Sequence, residues 1–538
     1  MLFNSIPFIA VFLPITLLVT FLLAARVSSR AALAWLAFAS VIFYGYWRIE
    51  DVPVLLGSVA ANYLIGRKLQ ERPSRGLLAL GIAGNLVLLG YFKYLTFITL
   101  TANAALGDPL TVPQIVLPLG ISFYTFQQIA YLVDSHGGVV KERHPLHYLF
   151  FVSFFPQLVA GPIVHHAEIM PQLRRTAALR FNLDDFSIGL TVFAIGLAKK
   201  VVIADRLVPT ADGVFDAALD GDVLTLLEAW GGALAYALQI YFDFSGYSDM
   251  AIGLARMVGL RLPINFASPY KAGSIIEFWS RWHITLTRFL TSYIYNPLSV
   301  RAARIRAQQG KPPLRRKGAA MPGAYVQLLA VPTLVTMLLS GLWHGAGFQF
   351  ILWGALHGVF LAVNHGWRLM VLPRMAWRLP RAISRPASVP LTFLLVVLAL
   401  VFFRAESVGH GWIVLTAMFG SNGIVVPPAF MPNLPVITAL LPITPGHLDF
   451  LSPEEALALL ALLGVVWFLP NTQELMAAQG VTLSVEPGAE IEPEPARAPL
   501  GARLRLSPAF GFAVGVVGSL ALLYTASAAP TKFIYFNF

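Results

Sequence analysis

Long stretches without a single charged side chain recur along this chain, and they leave few folds open to it. Such runs occupy residues 8–25, 114–133, 148–164, 323–343, 346–367, 389–403 and 507–530. A helix that crosses a bilayer core needs roughly 20 apolar residues, and fewer where half-helices are buried in protein. Counting shorter runs as well predicts roughly 11–14 helical segments, some of them re-entrant. Composition agrees: 57% of the residues are hydrophobic and 12% are charged, about half the charged fraction of a soluble domain. The expected fold is all-α and polytopic in a membrane, with residues 1–538 as one integral domain.

The net charge of +11 does not point to nucleic acid, because the basic residues gather in short loops between apolar runs. Arg67, Lys68, Arg72 and Arg75 form one group, and Arg374, Arg378, Arg381 and Arg385 another. The densest group, within 301–317, contains no acid. Short Lys/Arg-rich loops stay cytoplasmic and meet lipid headgroups. Arg26 and Arg30 follow the first run and nothing charged precedes it, so the N-terminus is expected to face outward. No basic region or small-residue cleavage site marks that run as a signal peptide, and it is read as a retained span. Residues 405–450 are rich in proline and glycine, which predicts an outward loop with a partial helix near 411–419. Residues 471–506 form a polar loop, acidic and proline-rich at its centre, which need not pack. The chain has no cysteine, which excludes disulfides, thiolate metal sites and a cysteine acyl-enzyme on this chain.

Ionisable residues inside a membrane are costly, so those within apolar surroundings are the functional candidates. In "YFDFSGYSDMAIG", residues 241–253, they are Asp243, Ser245, Tyr247 and Asp249. Here a helix break, with Ser245 or Asp249 capping the next helix, is the structural alternative, and Arg256 or Arg281 are candidate partners for the carboxylates. In "IIEFWSRWHITLTRFL", residues 275–290, Trp279, Trp282, His283 and Leu286 share a helical spacing with Arg281 on another face. Alone, that pattern suits an interfacial amphipathic helix. In "LSGLWHGAGFQFILWGALHG", residues 339–358, His344 follows Trp343 at the junction of two apolar segments, and Gly345 and Gly347 let another group approach closely. His357 repeats the His-Gly pair within a helical run and is read as packing. HExxH spacing, a glycine-rich phosphate loop and a GxSxG elbow are all absent from the sequence, so metal ligation and a serine-nucleophile site are not predicted.

Taken in order, these stretches resemble the membrane-bound O-acyltransferase family. The match rests also on "LPLGISFYTFQQIAYLVD" at 117–134, "FFPQLVAGPI" at 154–163, "GLAKKVVIAD" at 196–205 and "NFASPY" at 265–270. "VFFRAES" at 401–407, "PNTQE" at 470–474 and the terminal "FIYFNF" complete it. The resemblance runs through nearly the whole chain and favours the branch that acetylates exported polysaccharides such as alginate over the D-alanyl branch. It implies a helical bundle with re-entrant helices around a central funnel, and a catalytic core within 114–367. It implies that His344 is the catalytic histidine and that His283 holds the second signature position. It also implies a cytoplasmic thioester donor, expected to be acetyl-CoA used as substrate with no permanently bound cofactor. The remaining partners it implies are a periplasmic acetyltransferase, membrane lipid and a polysaccharide acceptor, with the chain in a bacterial inner membrane.

Acyl transfer to a hydroxyl needs a base for the attacking oxygen and a donor group for the developing oxyanion. An apolar setting keeps an imidazole in its neutral, proton-accepting form and excludes water that would hydrolyse the thioester. On this reading Gly345 and Gly347 leave room for the donor tail, His283 orients the donor carbonyl or shares the proton, and Trp279 and Trp343 wall the site. Direct base catalysis and a transient acyl-imidazole both need the same histidine. A glycan-precursor transporter and a structural anchor for a periplasmic enzyme are the alternatives from other classes. Within the acyltransferases, peptidoglycan or cellulose acetylation and D-alanylation remain open.

Overall fold

A computed structural model describes residues 1–107, 109–174, 179–314, 321–375, 381–433, 442–483, 508–527 and 533–534. Among the described residues, seven helical stretches are long and apolar enough to cross a membrane: Pro7–Arg26, Ile49–Glu71, Arg75–Leu106, Leu183–Asp220, Pro322–His344, Ser384–Arg404 and Phe510–Ser527. Shorter apolar helices, Ser29–Gly45 and Val408–Met418, join them. The 11–14 segments expected counted shorter and re-entrant pieces along with full spans, and two of the apolar runs are interrupted. Residues 109–118 are not helical, and the chain turns at Gly120, where φ is +69°, before the helix Ile121–His136. The run 148–164 divides into Pro145–Ser153 and the single turn Phe155–Leu158, with Pro156 beginning the second piece. Proline lacks the N–H that would continue the first helix. Both pieces are buried, in keeping with half-helices enclosed by protein.

The chain forms two compact units. The first comprises Met1–Val202, Phe244–Asn265 and Thr472–Phe538. Within it, Leu183–Ala198 lies against the later part of the 32-residue helix Leu226–Met257. Two glycines on each partner, seven residues apart, allow this. A Cβ on Gly196 would stand 2.6 Å from the Gly246 carbonyl oxygen, and one on Gly253 would stand 2.5 Å from that of Gly189. Small residues let membrane helices approach until their backbones touch. Two ion pairs flank the glycine contacts. Arg256 bonds Asp185 at 2.7 Å, and Lys199 bonds Asp249 at 2.7 Å. Gly246 therefore serves close packing, and the helix runs through 241–253 without the break that the serines and aspartates had suggested.

The second unit comprises Ile203–Asp243 and Phe266–Asn471. Val331–His344 and Phe348–Gly366 form a helical hairpin joined by three residues, Gly345 to Gly347. The hairpin closes on Gly341 and Gly354, where a Cβ on either would lie 3.2 Å from the other's Cα. Arg404 of the "FRAES" stretch pairs with Asp212 at 2.7 Å, and Ser407 caps Val408–Met418, the partial helix expected near 411–419. Glu228 accepts the backbone N–H groups of Asp449 and Phe450, at 2.6 and 3.1 Å, and so seats the segment before Pro453–Phe468. Two three-residue strands, Ile424–Val426 and Ile443–Pro445, pair in parallel. Sequence patterning did not predict them, since three residues are too few to show alternation. Most of the polar loop 471–506 and residues 315–317 of the basic loop lie outside the described residues.

Candidate active site

His344 is the last residue of Val331–His344, at the junction predicted for it, and it is 3% exposed. The rings of Trp343, Trp353 and Phe403 pack against its imidazole. Ring centroids lie at 4.9 Å for Trp343, 5.0 Å for Trp353 and 5.2 Å for Phe403, each packed edge-on. Extended glycine backbone follows, with φ near −160° to −170° at Gly345 and Gly347, so the chain leaves the helix abruptly and re-enters the next within one turn.

His283 is fully buried and precedes Ile284–Leu290 in the left-handed region, with φ 43° and ψ 52°. A non-glycine residue held there carries strain that its surroundings must offset. The segment 275–290 is thus two short helices, Ile275–Trp279 and Ile284–Leu290, and not the continuous amphipathic helix that the spacing suggested. The break has a physical cause. Ala267 donates its N–H to the Arg281 carbonyl at 3.0 Å, while the Arg281 guanidinium donates to the Ala267 carbonyl at 3.0 Å. The neighbouring chain therefore takes the bond that a continuing helix would use. Ser268, beside this clamp, is also left-handed, at φ 51°, and its hydroxyl accepts from Asn471 at 2.7 Å.

The two histidines converge on one indole. His283 lies 6.3 Å from Trp343, centroid to centroid, and His344 lies 4.9 Å from the same ring. Trp282 contacts Phe266 and Phe278, and Trp279 contacts Trp353. Seven predicted residues, Trp279, Arg281, Trp282, His283, Trp343, His344 and Gly345, thus belong to the second unit, as does Asp243. Ser245, Tyr247 and Asp249 belong to the first.

The partner proposed for Asp249 needs correction. Arg281 pairs with Glu277 at 2.9 Å, and Arg256 with Asp185. Asp249 pairs with Lys199 and accepts from Thr472 at 2.6 Å and Gln473 at 3.0 Å. A tie between neighbouring segments explains these residues better than sequence proximity did. Tyr247 is stacked on Phe3 at 4.7 Å and on Phe533 at 4.6 Å, both within its own unit.

Gly345 has a definite occupant beside it. A Cβ there would clash with the edge of the Phe350 ring, whose own neighbour Phe403 (5.3 Å) packs on His344. Gly345→Ala is therefore expected to displace Phe350 and, through Phe403, the imidazole. Overpacking of this kind costs about 1–3 kcal/mol. The variant should show a lower melting temperature in detergent together with slower turnover; wild-type values for both would refute the packing argument. Sequence reasoning missed Phe350, Trp353 and Phe403 because aromatic residues in apolar helices carry no distinguishing pattern. The i, i+4 spacing of Trp353 and His357 was the one available signal.

Residues 138–309 match the family described as MBOAT, membrane-bound O-acyltransferase; this range includes His283 and ends before His344. The chain is 39% identical over 456 residues to a peptidoglycan O-acetyltransferase of Helicobacter pylori, covering 79% of this chain and 81% of that protein. It is 38% identical over 429 residues to a probable alginate O-acetylase of Azotobacter vinelandii, covering 78% of each. Similarity to a teichoic acid D-alanyltransferase of Streptococcus thermophilus is 26% over 253 residues, or 46% of this chain and 57% of that protein.

Proposed function

The chain belongs to the membrane-bound O-acyltransferase family and is a multi-pass membrane acyltransferase; from that premise we propose that it moves acetyl from cytoplasmic acetyl-CoA toward hydroxyls of an exported polysaccharide. The acceptor reading is supported by the relatives named for peptidoglycan and alginate, which match more of the chain and at higher identity than the D-alanyl relative. A separate periplasmic acetyltransferase receives the group on the outer side of the inner membrane, and the N-terminus faces that side.

The observation that carries the chemistry is the placement of His344 and His283 beside one buried indole, that of Trp343, each histidine at a helix terminus. In this mechanism a neutral His344 accepts the proton of the attacking hydroxyl. The oxygen–carbon bond forms at the thioester carbonyl, the carbon–sulfur bond breaks, and the imidazolium returns its proton to the departing thiolate. His283 supports the developing oxyanion or the donor carbonyl, and the Trp343, Trp353 and Phe403 rings help to keep water from competing.

The test uses purified protein in sealed proteoliposomes with labelled acetyl-CoA offered on the side of the basic loops. Free thiol should appear in proportion to protein, and label should reach alginate or a peptidoglycan glycan on the other side once the periplasmic partner is supplied. Absence of thiol release would overturn the donor assignment. Turnover restricted to a D-alanyl thioester would move the protein to the other branch. Movement of an intact glycan precursor without thioester cleavage would favour the transporter.

A further inference from the structure

The sequence reads His357 as packing, yet its environment gives it a defined hydrogen bond and a path to the His344 ring. It lies in Phe348–Gly366, one turn after Trp353, and is 1% exposed. Its Nδ1 accepts from the indole N–H of Trp279 at 3.3 Å. An Nδ1 that accepts carries no proton, so the imidazole is neutral with its hydrogen on Nε2. The ring also packs against Trp353 at 5.0 Å, Trp279 at 5.2 Å and Phe278 at 6.1 Å. Trp353 in turn lies 5.0 Å from His344, with the two rings at 85°.

We infer that His357 is a positioning residue for His344: it anchors Trp279 by a hydrogen bond, and the two together fix the Trp353 indole that abuts the catalytic imidazole. Two features separate this from filler packing. Another apolar residue would fill the volume but leave the Trp279 N–H without its acceptor, at the cost of an unsatisfied buried donor. The contact also joins three elements, since Trp279 ends Ile275–Trp279, Trp353 and His357 lie on Phe348–Gly366, and His344 ends Val331–His344. A tilt of Trp353 therefore turns the imidazole without touching substrate. Misplacement of a catalytic group on the ångström scale lowers the chemical step more than binding. The inference rests on the proposed role of His344.

The experiment is a set of variants assayed for acetyl-CoA turnover, with melting temperature in detergent as the folding check. His357→Leu is expected to lower kcat on the order of tenfold or more with little change in KM. His357→Asn, whose amide oxygen can stand in for Nδ1, should recover most of that loss. Trp279→Phe removes the donor and keeps a ring. It should reproduce the His357→Leu defect, and the double variant should be no worse than either single one. Where His357→Leu lowers the yield of folded protein, the comparison of Trp279→Phe with His357→Asn carries the same test.

Unchanged kcat in both His357→Leu and Trp279→Phe would overturn the inference, as would additive losses in the double variant. Equal damage from His357→Asn and His357→Leu would do the same. Failure of the underlying catalytic reading is told apart because it shows first in His344→Ala, as undiminished turnover with every His357 residue intact.

Discussion

His344→Ala is expected to lower acetyl-CoA turnover by about 10²–10⁴-fold, the usual worth of a general base. On the proposed mechanism the fall should lie in kcat, because there the imidazole acts in the step that moves a proton and contributes little to holding the donor. The surroundings of His344 sharpen the expectation. Trp343, Trp353 and Phe403 pack edge-on against the ring, so truncation leaves apolar neighbours that cannot take over proton transfer. His344→Gln, which retains volume and a hydrogen-bonding group, should be almost as inactive, because an amide is not a base at neutral pH. That pair separates chemistry from packing: a packing role predicts that glutamine rescues, and a base predicts that it does not. His283→Ala should be impaired too, but less severely, as the role proposed for His283 is to support the carbonyl or share the proton. Turnover that survives His344→Ala at the wild-type rate would remove the histidine from the mechanism.

How far the sequence could carry this is visible at individual residues. The membrane class followed from uncharged runs, because lipid forces each spanning backbone to satisfy itself and leaves composition as a direct readout. The junction at His344 was legible for a related reason: two glycines within three residues interrupt an apolar stretch. The left-handed backbone at His283 was not legible. Nothing in "WSRWHITL" announces a break, and the bond that causes it comes from Ala267, fourteen residues earlier. The same limit hid the partner of Asp249. Proximity along the chain suggested Arg256, which is spent on Asp185, whereas Lys199 and Thr472 reach Asp249 from 50 and 223 residues away. The serines and aspartates of 241–253 misled in the opposite direction: they read as a helix break, whereas the helix continues and Gly246 among them lets another helix in. Local chemistry was readable, and pairings between distant segments were not.

Asp249→Ala makes that distinction measurable, and its predicted effect is on stability. Asp249 is 4% exposed, and its carboxylate takes the Lys199 ammonium, the Thr472 hydroxyl and the Gln473 amide at 2.6–3.0 Å. Removing one member of a buried ion pair strands the other, which costs about 3–5 kcal/mol. A clear drop in melting temperature in detergent should follow. Asp249→Asn should fall nearly as far, because the amide keeps the shape but leaves Lys199 uncompensated. Replacing both charges, as in Asp249→Asn with Lys199→Met, should cost less than the sum of the single changes, since the desolvated charge is then gone along with its partner. Gly196 and Gly246 fix how closely these helices approach, so the pair cannot relax by separating. If Asp249 instead held substrate, the signature would reverse: Asp249→Asn would raise KM at an unchanged melting temperature. A stability loss that shrinks when Lys199 is also neutralised would assign the aspartate of the "FSGYSD" stretch to holding the scaffold together, and leave the chemistry to the histidines.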